Sequence, residues 1–217
     1  MLYGGTNAHQ HFKVDNLELK PAQFHYGIGR EAFPALLQPF YHTVNSADAI
    51  HKDDDRFLVA HLNGEAKAYA ISDLMRHEIV NDTLAGRPIM AAYCILADLG
   101  AVYDRAYGPD TLTFALSGYT YYDPKVWNGM DGFVFWDRET ESLWWPLTGR
   151  SVSGPLRGVG LQVMDEAHWE DTTWSAVKQR FPQAKVMRSG LDFNRPDKWE
   201  KVINSERVRA DFSLKKP

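Results

Sequence analysis

Cysteine is nearly absent. The 217 residues contain one, Cys94, so no internal disulfide can form. That excludes a disulfide-stapled scaffold and leaves the redox compartment open, since a reduced cytosol and a disulfide-free exported protein look alike. Long apolar runs are also missing: nothing approaches the roughly 20 residues a membrane-spanning helix needs. The start, MLYGGTNAHQHFK from Met1 to Lys13, lacks the apolar centre of a signal peptide. It fits either a cytoplasmic protein or a chain that begins after a removed signal. Basic runs are absent apart from the pair Lys215-Lys216, and the net charge is −4 with a pI near 6.1. A general nucleic-acid binder is thereby excluded, because neutralising phosphates needs a basic face. The acidic run Asp53-Asp54-Asp55 lacks the spaced oxygen ligands and the glycine of an EF-hand loop, and reads as a solvated loop. There is no internal repeat, low-complexity stretch or linker that would mark a domain boundary.

What is present is an ordinary globular balance, 44% hydrophobic and 24% charged, with a high aromatic share of 13% that includes seven Trp. Rings of that size fill cores, and they also wall pockets for flat or sugar-like ligands. Residues 1–30 carry little periodicity and read as an irregular N-terminal arm ahead of a single β-rich domain over 31–217. Pro34 and Pro39 keep any helix between Glu31 and Phe40 short, and Asn45 is placed to cap a brief helix from Ser46 to His51.

The pattern sharpens from Phe57. Phe57 to Leu62, Asn63-Gly64 and Glu65 to Ile71 form a hairpin signature, with Asn-Gly supplying a type I′ turn. Ser72 is placed to cap a helical turn from Asp73 to His77, and Pro88 to Ile95 suits a buried strand. A second hairpin is predicted around Tyr107-Gly108-Pro109-Asp110, joining Gly100–Arg105 to Thr111–Ser117. A third joins Met130–Asp137 to Ser142–Leu147. Asp171 or Thr172 should cap a helix that stops at Pro182, and a further helix is expected at about 195–208. Many short strands and few helices predict an α+β fold, mainly antiparallel β, with a rolled sheet or barrel-like core and short helices packed outside.

Several linked motifs occur in order: His77-Glu78-Ile79-Val80-Asn81-Asp82, Gly86-Arg87-Pro88-Ile89, Ala92-Tyr93-Cys94, Tyr103-Asp104-Arg105, Leu112-Thr113-Phe114 with Ser117-Gly118, and Trp136-Asp137-Arg138-Glu139-Thr140-Glu141-Ser142-Leu143-Trp144 leading to Gly154-Pro155-Leu156. Over about residues 27 to 185 this series resembles the bacterial and archaeal domain-of-unknown-function family 3179. The resemblance implies a mostly exported or lipid-anchored setting and brings no activity. Family members usually continue the Tyr-Cys motif with Pro and a second Cys, where this chain has Ile95 and Ala97, so a two-cysteine metal or redox site does not carry over. The connection after Ser-Gly is also longer and aromatic here, Tyr119 to Asn128.

The residues themselves point to a site around His77 and Cys94. Imidazole is both a metal ligand and a proton carrier near neutral pH, and a neighbouring histidinium would activate a thiol. The catalytic candidates are His77, Cys94 and Asp82, with Asp82 orienting the histidine. The metal candidates are His77 and Cys94, for copper or zinc. Asn81, Glu78, Tyr93, Ser117, Tyr119, Trp136 and Trp144 are expected to line a ligand pocket. The spacing His-Glu-x-x-Asn lacks the second histidine of a zinc-protease helix. These residues predict a ligand-binding domain for a small molecule or metal ion. A Cys94/His77 or metal-dependent hydrolase and a non-catalytic interaction domain are the alternatives.

Overall fold

Asn63 and Gly64 turn the chain as their residue types require. Their φ angles are 48° and 81°, the two left-handed positions of a type I′ turn, and the flanking strands pair in register from Phe57↔Ala70 to Leu62↔Glu65. The computed structural model describes residues 1–189 except Gln38 and Met130; the helix expected at 195–208 lies outside the described residues. In chain order the elements are β1 (Phe24–Tyr26), β2 (Phe40–Thr43), α1 (Val44–Ala47), β3 (Arg56–Leu62), β4 (Glu65–Ala70), α2 (Ile71–Leu74), β5 (Ile79–Leu84), β6 (Arg87–Cys94), β7 (Leu99–Asp104), β8 (Ala106–Tyr107), β9 (Asp110–Thr111), β10 (Phe114–Tyr121), β11 (Gly132–Asp137), β12 (Leu143–Trp145), β13 (Arg150–Ser153), β14 (Trp169–Thr173), α3 (Trp174–Arg180) and β15 (Lys185–Arg188). The fold is therefore mostly antiparallel β with few, short helices. Among the described residues every sheet is open-ended and none closes into a barrel. No helix among them is long and apolar enough to cross a membrane.

The chain divides into two compact units: 1–34 with 113–161, and 35–112 with 162–189. The N-terminal residues thus belong to the first unit. They contribute β1, a bridge between Leu2 and Phe12, and the fully buried rings of Phe12 and Phe24. That unit is one antiparallel sheet in the order β1-β10-β11-β12-β13. The β11–β12 hairpin forms as expected, pairing Phe135 with Trp144. A bulge between Leu116 and Tyr119 bends β10, and the Gly27–Glu31 segment straps across it, with Gly27 and Ile28 N–H both donating to Gly118 O and Glu31 N–H to Leu116 O. Gly118 has φ 79°, and a Cβ there would sit 2.1 Å from Gly29 O. Gly118→Ala therefore combines left-handed strain with a backbone clash. It is expected to destabilise the protein by about 2 kcal/mol or more in chemical denaturation.

The second unit packs two sheets against each other. One runs β14-β3-β4-β15-β2, antiparallel except for the parallel β4–β15 pair, and the other is β5-β6-β7. Leu58, Ala60 and Tyr69 meet Val80, Leu84, Ile89, Ala91 and Val102 in the core between them. The opposite face of β3–β4, with Phe57, Val59 and Ala68, is covered by Trp174 and Val177 of α3 and by Val44 and Ala47 of α1.

Some local expectations are corrected. The Tyr107–Asp110 turn closes only the two-residue pair β8–β9. β7 pairs with β6, while β10 pairs with β1 and β11. Thr43, not Asn45, caps α1 through its hydroxyl. α2 begins at Ile71 after Ala70, which has no side-chain cap, so Ser72 lies inside it. Asp171 and Thr172 are held in β14 by pairing with β3, so Thr173 caps α3.

Candidate functional site

The chain enters β5 through a tight turn. Met75 N–H closes α2, and both His77 and Glu78 N–H return to Leu74 O, at 3.0 and 2.6 Å. To leave that turn Glu78 takes φ 54°, a left-handed conformation that disfavours a residue with a Cβ. Glu78 O then accepts from Tyr93 N–H at 2.9 Å, and β5 pairs with β6 as Ile79↔Ala92, Asn81↔Met90 and Asp82↔Ile89. That hydrogen bond carries the pairing one residue outward, to Glu78 beside Tyr93, and the left-handed Glu78 ends it ahead of His77. Four of the six residues His77–Asp82 are polar, and all four are buried.

Glu78 is perturbed by this setting. Its side chain is buried, and desolvation pushes the carboxyl up to about 8, opposed only by the N–H of Ile95. No cation pairs with it among the described residues. Asp73, just upstream on α2, is also raised by burial, but His51, Arg76 and His77 pull it back.

Asn81 and Asp82 are neighbours in sequence and face opposite ways, because strand residues alternate. Asp82 shares the face of Val80 and Leu84 and reaches into the core between the sheets. There Oδ1 accepts from Lys67 Nζ at 2.7 Å and from Thr83 N–H at 2.7 Å, and Oδ2 accepts from Tyr69 OH at 2.7 Å and from Tyr41 OH. Lys67 Nζ also donates to Tyr41 OH at 3.0 Å. Burial, and then the Asp82 charge, hold both phenols protonated well above their usual range. With four donors its carboxylate is saturated. Asp82 therefore does not orient His77, as expected from sequence; it ties β5 to β2 and β4. Lys67, Tyr69 and Tyr41 were missed by the sequence reading. No clear signal marked them, because alternation in Glu65-Ala66-Lys67-Ala68-Tyr69-Ala70 sets Lys67 with Glu65 and Tyr69 opposite the alanines, a face that reads as the solvent side.

Cys94 ends β6 and is sealed, 1% exposed. Among the described residues no group of three or more His, Cys, Asp or Glu is arranged to hold a metal ion. The described residues therefore offer copper or zinc at His77 and Cys94 no further set of ligands.

The other four expected pocket residues lie in the first unit, where their polar atoms serve its sheet. Ser117 Oγ donates to Val134 O and accepts from Tyr119 N–H at 3.1 Å, holding the bulge. Tyr119 packs edge-on to Phe24 and Tyr26. Trp136 Nε1 donates to Leu116 O at 3.1 Å while the Arg30 guanidinium covers its ring at 3.6 Å. Trp144 Nε1 donates to the buried Asp137 at 2.8 Å.

Searches among curated proteins and among solved structures find no match for this chain. Residues 30–202 match the family described as "Protein of unknown function (DUF3179)", and the chain, with its motif series and its polar β5 strand, belongs to that family.

Proposed function

We propose that this protein is a ligand-binding domain that takes a small polar molecule where α2 meets β5, beside His77 and Glu78. The observation that carries the reading is Glu78, which combines a left-handed backbone with a buried, desolvated carboxyl. The fold itself has no use for either, since a glycine at 78 would relieve both. Backbone strain and desolvated ionisable groups concentrate at functional sites. The second reading is a Cys94/His77 hydrolase, since β5 and β6, which these residues flank and end, are paired neighbours. Against it stand the sealing of Cys94 and the saturation of Asp82, which leave no orienting carboxylate for the histidine.

The test is a thermal-shift screen of wild type and Glu78→Gly against small acids, amines, sugars and nucleosides. A ligand at 100 times its Kd adds about 2.7 kcal/mol to stability. The reading expects at least one compound to stabilise wild type and to lose that effect in Glu78→Gly. It fails if every compound that stabilises one protein stabilises the other equally, or if none stabilises wild type.

A further inference from the structure

We propose that His61 and His168 form a surface chelate for a late transition-metal dication, an inference independent of the α2–β5 site. His61 lies near the end of β3, and His168 directly precedes β14. They stand one residue beyond the last registered pair of those strands, Ala60↔Trp169, and their ring centroids are 6.0 Å apart. Alternation sets His61 with Phe57 and Val59, on the face that α3 covers. Phe181, at the end of α3, packs against the His61 ring with centroids 5.0 Å apart and holds its plane. Both histidines are half-buried, so a dissolved ion reaches them without an internal cavity. No hydrogen bond or ion pair among the described residues engages either ring. Other imidazoles are committed: His11 Nε2 meets Gly5 O at 3.0 Å, His25 pairs with Asp131, and His51 pairs with Asp55.

Two imidazoles bonded to one ion at about 2.0–2.1 Å carry their ring centres about 5–6 Å apart. Small side-chain rotations therefore close this pair on a metal. Imidazole selects copper, nickel and zinc over magnesium and calcium, and affinity at such a site peaks at copper(II). Glu170 shares the His168 side of β14, but its carboxylate is paired with Arg180. No group of three or more His, Cys, Asp or Glu is arranged to hold a metal among the described residues, so the two rings are the protein's ligands and water completes the shell. The surrounding charge suits a dication: Asp165 and Glu166, both exposed, precede His168, and Glu170 offsets Arg180. A bound ion ties β14, the edge strand of its sheet, to β3.

The experiment is a calorimetric titration of the tag-free full chain with copper(II), zinc(II) and magnesium ions, using wild type, His61→Gln, His168→Gln and the control His9→Gln. Expected are a single copper(II) site, weaker zinc, no magnesium, and a control that matches wild type. Each of the first two variants should bind copper at least about tenfold more weakly, since removing even the partners behind a metal's ligands costs that much. In NMR spectra of wild type, copper(II) should broaden the Leu62 and Trp169 amides first. Broadening centred elsewhere, His9 to His11 included, overturns the proposal without recourse to a variant. So does copper binding that both variants retain, magnesium binding as tight as copper, or no copper binding by wild type.

Discussion

Lys67→Ala is expected to cost about 3–5 kcal/mol of stability, because it leaves the Asp82 carboxylate buried without its counter-ion. Both side chains are only 7% exposed, so water cannot take over the ammonium's role. At roughly 2–4 °C per kcal/mol for a chain of this size, the melting temperature should fall by about 6–20 °C. The paired replacement Lys67→Met with Asp82→Leu should recover only part of that loss, since it removes the uncompensated charge but takes the acceptor away from Tyr69 OH, Tyr41 OH and Thr83 N–H. Tyr69→Phe, which removes one hydrogen bond to a charged acceptor, should cost less, about 1.5–3 kcal/mol. A Lys67→Ala loss below about 1 kcal/mol in denaturant melts would mean that the cluster is solvated and does not tie the sheets of the second unit.

Stability should also decline between about pH 4.5 and pH 8, and Glu78→Gln should flatten that decline. The unfolded Glu78 carboxyl releases its proton near 4.5, whereas the folded one keeps it until about 8. Within that window the folded state binds more protons than the unfolded state, so stability falls as pH rises; above 8 the contribution is constant. A tenfold difference in proton affinity between the folded and unfolded carboxyl is worth about 1.4 kcal/mol, so the loss across the window reaches several kcal/mol. Glu78→Gly should be more stable than wild type at pH 8, by the removal of this penalty and of the strain at φ 54°. Denaturation curves at half-unit intervals from pH 5 to pH 9 measure both. A wild-type curve that rises through this range, or variants that decline in parallel with it, would contradict the account.

How much was legible in the sequence depended on the range of the interaction. Asn63-Gly64 fixes its hairpin because the φ requirement is local. Tyr107–Asp110 is as clear a turn signal, yet the strands it joins go to different units, since a turn reverses the chain without choosing the partners of its flanks. The caps missed by one or two residues, at Thr43 and Thr173, were decided by where strand pairing ended. In the candidate site, the neighbours Asn81 and Asp82 were grouped together, although strand alternation alone separates them. Lys67 and Asp82 lie 15 residues apart on strands of different sheets. Only sheet packing brings them together, and no local pattern encodes it. The strain at Glu78 was equally hidden, because the turn that imposes it depends on Leu74 O accepting from two successive N–H groups.

The most direct measurement is a carbon-13 NMR titration of the Glu78 side-chain carboxyl from pH 4 to pH 10. The account predicts a midpoint of about 8, a carboxyl sealed from water and lacking a counter-ion. A midpoint near 4.5 would show a solvated or already paired group, and would withdraw the ligand site at the α2–β5 junction.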